Sequence, residues 1–127
     1  MFLLTAEGCK VYELFLTYVI SNMILYSVTI NVEDSIHDEW VDWMQNEHIP
    51  EVMATGCFYD SHLFRIVSPE TDEGTTYCIQ YYAEDISDYE KYQIEHAAIL
   101  QTKQIDKFGK KFTAVRVVME KMENDLS

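Results

Sequence analysis

Residues 40–51 read Trp40-Val41-Asp42-Trp43-Met44-Gln45-Asn46-Glu47-His48-Ile49-Pro50-Glu51, and they come soon after an alternating run, Ile24–Val32 (ILYSVTINV). In that run Tyr26, Val28, Ile30 and Val32 share one face and Ser27, Thr29 and Asn31 the other, the period-two signature of a strand with one buried face. The pattern then changes period. Ile36, Trp40, Trp43 and Met44 fall on one side of a helix, with His48 close to the same stripe. Ser35 with Asp38 three residues on reads as a capping-box variant at its start. Pro50 has no amide proton and disfavours helical geometry in the residue before it. The spacing therefore predicts a break near His48-Ile49 and a short second helix from Pro50 to Gly56. A strand followed by a helix at this spacing is the first half of a β-α-β unit.

Two further β-rich runs, residues 58–67 and 75–84, flank the turn-rich Ser68-Pro69-Glu70-Thr71-Asp72-Glu73-Gly74. The most economical hairpin sets Val67 opposite Thr75, Phe64 opposite Cys78 and His62 opposite Gln80. A slip by one residue would replace His62 with Arg65 on that face. In the expected register Cys57 lies beyond reach of Cys78, so no disulfide joins them. Ser87, with Glu90 in the capping-box position, opens a second helix expected to run to Lys107 and stop at Gly109. Its buried stripe reads Tyr89, Tyr92, His96, Ile99, Leu100 and the stem of Lys103. Phe112–Glu120 (FTAVRVVME) is the last strand. The order β-α-β-β-α-β, with right-handed crossovers, puts both helices on one face of a four-stranded antiparallel sheet. This is the ferredoxin-like α+β arrangement, with the first and third strands central. The opposite face is left bare. It carries Ser27, Thr29 and Asn31 with Thr76, Cys78, Gln80 and Tyr82, joined by His62, Phe64 and Ile66. A face of that size mixing aromatic, aliphatic and amide groups calls for a partner, most simply a second copy. A homodimer through the open sheet face is therefore expected.

At 127 residues, 48% of them hydrophobic, the chain has the size and core of one domain. The reading places that domain at residues 23–120, with residues 1–22 as an N-terminal extension and residues 121–127 as a polar tail. Residues 11–20 (VYELFLTYVI) are apolar but too short to span a bilayer and lack a preceding cationic region. They read either as an extra amphipathic helix or as sequence upstream of a true start at Met23. Nine basic residues against 22 acidic ones give a net charge of −13. That charge repels nucleic-acid backbones and anionic membrane surfaces, so neither is an expected partner. Three cysteines without regular spacing form neither a disulfide framework nor a zinc site, and free thiols imply a reducing, cytoplasmic setting.

From Met23 to about Met119 the chain resembles the family known as domain of unknown function 4286. The resemblance is carried by Met23-Ile24-Leu25-Tyr26, Trp40-x-x-Trp43-Met44, His48-Ile49-Pro50-Glu51-Val52-Met53-Ala54-Thr55-Gly56, Tyr77-x-Ile79-Gln80-Tyr81, Tyr89-Glu90-x-Tyr92 and Lys107-Phe108-Gly109. It implies the ferredoxin-like fold and carries no assigned activity. More distantly, the layout is similar to the dimeric α/β-barrel superfamily, in which two such units pack sheet to sheet. Its members include cofactor-independent quinol monooxygenases, muconolactone-type isomerases and haem-degrading enzymes, so fold alone names no reaction. In the haem-degrading members an Asn on the first strand, a Trp and a His on the second helix serve the haem. Asn31 and His96 match two of these, but no Trp follows Trp43, and no cofactor is expected.

Several residues stand out chemically. His48, flanked by Glu47 and Glu51 at the helix break, is the candidate general base; its bland role is to shape the break. Asn31, His62, Gln80, Tyr82 and Arg116 are the candidates for lining a cavity between subunits. There they would meet an apolar or aromatic ligand, or simply satisfy one another across the interface. Trp40 and Trp43 read as core. His37, His48, His62 and His96 show no metal-ligand spacing, so no metal is expected. Glycine-rich phosphate loops and nucleophile elbows are absent from the sequence. Two functional classes remain. One is a non-catalytic dimer binding a ligand or protein, which is slightly preferred. The other is a cofactor-independent enzyme acting on a small apolar or aromatic metabolite. An enclosed pocket of roughly 300 Å³ opening onto His48, His62 or Tyr82 would favour the enzyme, and a filled interior the binding module.

Overall fold

The computed structural model describes residues 23–122. The readings for residues 1–22 and for the end of the tail lie outside the described residues. Strand β1 (Ile24–Val32) is followed by a 3-10 turn (Asp34–Ile36), helix α1 (His37–Trp43), a π-helical turn (Met44–His48) and helix α2 (Ile49–Ala54). Strands β2 (Asp60–Arg65) and β3 (Thr75–Ala83) form the hairpin. Helices α3 (Ile86–Glu95) and α4 (Ala97–Phe108) then lead to β4 (Phe112–Glu120).

The sheet order is β2-β3-β1-β4, antiparallel throughout, with β1 and β3 central as the sequence predicts. The hairpin register also holds, with His62 opposite Gln80 and Phe64 opposite Cys78. Gly74 closes the loop at φ +70°. A Cβ there would sit 2.5 Å from the Val32 carbonyl oxygen, so the approach of loop to β1 requires glycine. Cys57 is buried, Cys78 faces the open side of the sheet, and both are free thiols.

Alternation along β1 sends Ile24, Tyr26, Val28, Ile30 and Val32 under the helices, where all five are buried. From the helical side come Trp40, Trp43, Met44, Val52, Leu100 and Phe108. Five aromatic residues occupy one end of this core. Phe58 lies 5.2 Å from Tyr81 and 5.1 Å from Tyr92 between ring centroids, and Tyr26 lies within 6 Å of Phe58, Tyr81, Tyr89 and Tyr92. Two ion pairs, Lys103–Glu51 at 2.9 Å and Lys107–Glu39 at 3.3 Å, tie α4 to the first helical segment. Exposed as they are, each contributes at most about 1 kcal/mol.

Local details depart from the sequence reading in four places. The helix does not break at His48-Ile49; both residues keep right-handed helical angles. The chain instead widens by one residue, and the Ile49 amide donates to the Met44 carbonyl five residues back. A wider turn moves the preceding carbonyls away from the Pro50 ring, which removes the clash that would have ended an ordinary α-helix. Second, Ser35 does not cap. It lies within the 3-10 turn, whose start has no side-chain cap. Third, the second helix is capped by Asp85, not Ser87: the Asp85 carboxylate accepts from the Ser87 amide at 2.9 Å. Fourth, that helix is interrupted at His96, whose φ of −129° separates α3 from α4. That interruption changes the buried stripe to Tyr92, Ala97, Leu100, Gln104 and Phe108, leaving Ile99 and Lys103 outside.

Candidate functional site

The sequence candidates separate onto the two faces of the sheet. On the open face, His62, Gln80 and Tyr82 form one cluster. The Tyr82 hydroxyl donates to Gln80 Oε1 at 3.2 Å, and the His62 and Tyr82 rings stand perpendicular with centroids 5.6 Å apart. His62 Nε2 also lies 3.2 Å from an Asp60 carboxylate oxygen. The row continues through Cys78, whose sulfur is 3.2 Å from Ser27 Oγ. These side chains satisfy much of one another's hydrogen bonding along the strand. Asn31 stands apart. It pairs across from Thr76, four positions along β1 from the level of Gln80, roughly 13 Å away at the rise of a strand. Its amide donates to Thr76 Oγ1 at 3.0 Å and to the Glu73 carbonyl at 3.2 Å, so it holds the hairpin loop against β1.

Arg116 does not join this face. It pairs with Val28, whose side chain lies under the helices, so Arg116 projects to the helical side. Sequence reasoning grouped it with Asn31, His62, Gln80 and Tyr82 as lining a cavity between subunits, and it lies on the opposite face of the sheet from those four. On β4 apolar residues occupy both faces, so alternation alone could not assign a side. Arg116 instead meets His48 across a small cavity bordered also by Tyr26, Gln101 and Gln104.

His48 reaches that cavity because of the π-helical turn. Residues five apart on an α-helix point roughly 140° away from each other. The extra residue in the turn cancels most of that angle and stacks the His48 ring on Trp43, with centroids 4.7 Å apart and planes 25° apart. His48 is 9% exposed, and its Nδ1 has no hydrogen-bond partner among the described residues. Burial pushes its pKa down from 6.5 to about 4. Glu51 opposes that shift, while the positive charges of Arg116 and Lys103 add to it. The ring is therefore neutral at pH 7. Next to it, Gln104 is buried and accepts from Trp40 Nε1 at 3.0 Å, which fixes its amide. Burial also raises the hydroxyls of Tyr26, Tyr81 and Tyr92, keeping them protonated. The cavity has a volume of about 20 Å³, room for roughly one water molecule.

Sequence reasoning missed Gln101 and Gln104 because it carried one helical phase through residue 96. With α4 phased from its own start, Gln104 sits four residues after Leu100 and four before Phe108, which places it on the buried stripe. Among the described residues no group of three His, Cys, Asp or Glu side chains converges as metal ligands. No helix among them is long and apolar enough to cross a membrane.

The fold and site together define a small ferredoxin-like α+β domain whose helical side encloses one buried, neutral histidine. The family model for Domain of unknown function (DUF4286) matches residues 23–122, and the chain belongs to that family. A comparison with curated proteins finds no significant match in sequence. Solved structures share the fold. An ethyl tert-butyl ether d (EthD) family protein from Bacillus halodurans C-125 superposes with a TM-score of 0.60 at 16% identity, covering 78% of this chain and 99% of its own. A point mutant of SnoaB, a cofactor-independent oxygenase from Streptomyces nogalater, gives 0.58 at 9% identity, covering 84% and 98%. A dimeric ferredoxin-like protein of unknown function from Thermobifida fusca gives 0.54 at 9% identity, covering 79% and 92%. At these identities the likeness establishes the fold.

Proposed function

We propose that the protein is a homodimeric, non-catalytic binding module whose two copies pack through their open sheet faces. The observation that carries this reading is the outward face of β4. There Val115, Val117 and Met119 are 63%, 47% and 43% exposed, while Arg116 is turned towards the helices. An isolated solvated sheet would place its apolar residues the other way. Phe64, 48% exposed on β2, extends the patch across the sheet. Three strands about 30 Å long and one about 20 Å long, at about 4.8 Å spacing, project to roughly 500 Å². That approaches the ~800 Å² of accessible surface per partner that specific complexes bury. The free Cys57 and Cys78 support a reducing, cytoplasmic setting.

The small cavity beside His48 favours binding over catalysis by that residue. A cavity of about 20 Å³ cannot hold a metabolite, which needs roughly 300 Å³ or more. A histidine with a pKa of about 4 is also a poor general base at neutral pH. Light scattering at micromolar concentration tests the assembly. The wild-type chain should have the mass of a dimer, and Val117→Lys should be monomeric with an unchanged circular dichroism spectrum. A monomeric wild-type chain overturns the reading.

A further inference from the structure

A groove of about 450 Å³ runs along the outside of the molecule between α4 and β4. Three of its lining side chains, Gln101, Gln104 and Arg116, also border the buried His48 cavity. Groove and cavity are thus the two sides of one polar partition. The lining also includes Lys110, so it takes two of the chain's nine basic residues and none of its 22 acidic ones. In a chain of net charge −13 this is a local inversion of sign. Among the described residues no carboxylate lies within 4 Å of the Arg116 guanidinium. Apolar surface is supplied next to that charge by Phe112 and Ala114, which share Arg116's face of β4, and by Ile105 from α4. Behind the partition, His48 Nδ1 is the one buried side-chain polar atom among the described residues left without a partner.

We propose that this groove binds a small monocarboxylate with an apolar body. The carboxylate is held by Arg116 with help from Lys110, and the body lies on Phe112, Ala114 and Ile105. The arginine fork suits a planar carboxylate, and the edge of the sheet leaves it open on the side from which a ligand arrives. Gln101 lies at the partition, beside the Tyr26 hydroxyl on its inner side. The volume is within the range of small-ligand sites. This inference deepens the binding reading by naming a ligand class. Because every lining residue belongs to a single chain, a monomer in the scattering experiment would end the dimer and leave this test standing.

The test is an NMR titration of the full, isotope-labelled chain with benzoate, with neutral benzyl alcohol, which keeps the ring and lacks the carboxylate, and with inorganic phosphate. Benzoate should saturate at millimolar concentration or below, shift the Arg116 side-chain and Phe112 resonances and the His48 ring, and show contacts from its ring protons to Ala114. Benzyl alcohol should bind at least roughly tenfold more weakly, the worth of one charge-assisted hydrogen bond. Arg116→Gln should abolish that difference, and Lys110→Gln should reduce it. Equal binding of benzoate and benzyl alcohol overturns the proposal. So does phosphate binding as well as benzoate, which would mean simple anion attraction. Shifts confined to other surfaces, or no benzoate binding at all, overturn it too. The comparison of ligands on the wild-type chain decides the matter even if the Arg116 variant does not fold.

Discussion

Replacing His48 by Gln should change how stability depends on pH, more than it changes stability at pH 7. His48 is buried against Trp43, and its pKa in the folded chain is about 4, against 6.5 when exposed. Between those values the unfolded chain takes up a proton at this residue that the folded chain refuses. The stability contributed by the neutral ring is complete above pH 6.5 and is lost as pH falls towards 4. The difference in pKa corresponds to roughly 3 kcal/mol at the acid end. Glu51 is the one nearby charge that softens this penalty, and Arg116 and Lys103 increase it. Gln does not titrate, and the other carboxylates titrate equally in both chains, so the difference between the two unfolding curves isolates His48. At pH 7 the variant should be about 1 kcal/mol less stable through the lost stacking on Trp43. As the pH is lowered towards 4 that gap should close and then reverse, by roughly 3 kcal/mol in all. Urea unfolding of both chains across this range is the assay. Parallel stability curves would refute the reasoning, because they would mean that His48 gains its proton without cost and is therefore not buried from water.

Three further outcomes follow from the packing. Gln104→Leu should cost about 1–3 kcal/mol, because it strands the buried Trp40 Nε1 donor, and thermal unfolding at neutral pH measures it. Gly74→Ala should cost about 1–3 kcal/mol, since it adds a Cβ against the Val32 carbonyl at a positive φ; a smaller loss in chemical unfolding would show that the hairpin loop can move away. Residues 23–127 expressed alone should unfold with the same midpoint and cooperativity as the full chain, as the reading of residues 23–120 as the folding domain expects. A lower midpoint would show that residues 1–22 contribute to the core.

The strands are legible in the sequence for a local reason. Alternation in ILYSVTINV marks β1 and its buried face without reference to any other part of the chain, and β1 and β4 have the expected bounds. The hairpin register is legible because the turn-rich loop leaves one economical pairing, and that pairing is observed. Trp40 and Trp43 are recognisable as core from their spacing with Ile36 and Met44. His48 is visible as unusual, but its environment is not. A proline at position 50 reads as a helix break, and the sequence carries no local signal that a π-helical turn will absorb it.

Composition and periodicity by themselves determined the fold class, the strand pairing and the existence of an uncovered sheet face. Each depends on the side-chain pattern of one or two neighbouring segments. Only the tertiary structure decided which face of β4 carries Arg116, because apolar residues lie on both sides of that strand and the pairing of Arg116 with Val28 alone settles it. It also decided that His48 and Arg116, 68 positions apart, border one cavity while Asn31 stands away from His62, Gln80 and Tyr82. Those relations come from a widened helical turn and a helix rephased at His96. Both are small shifts in backbone phase that the whole core selects, and no single stretch of the sequence encodes them.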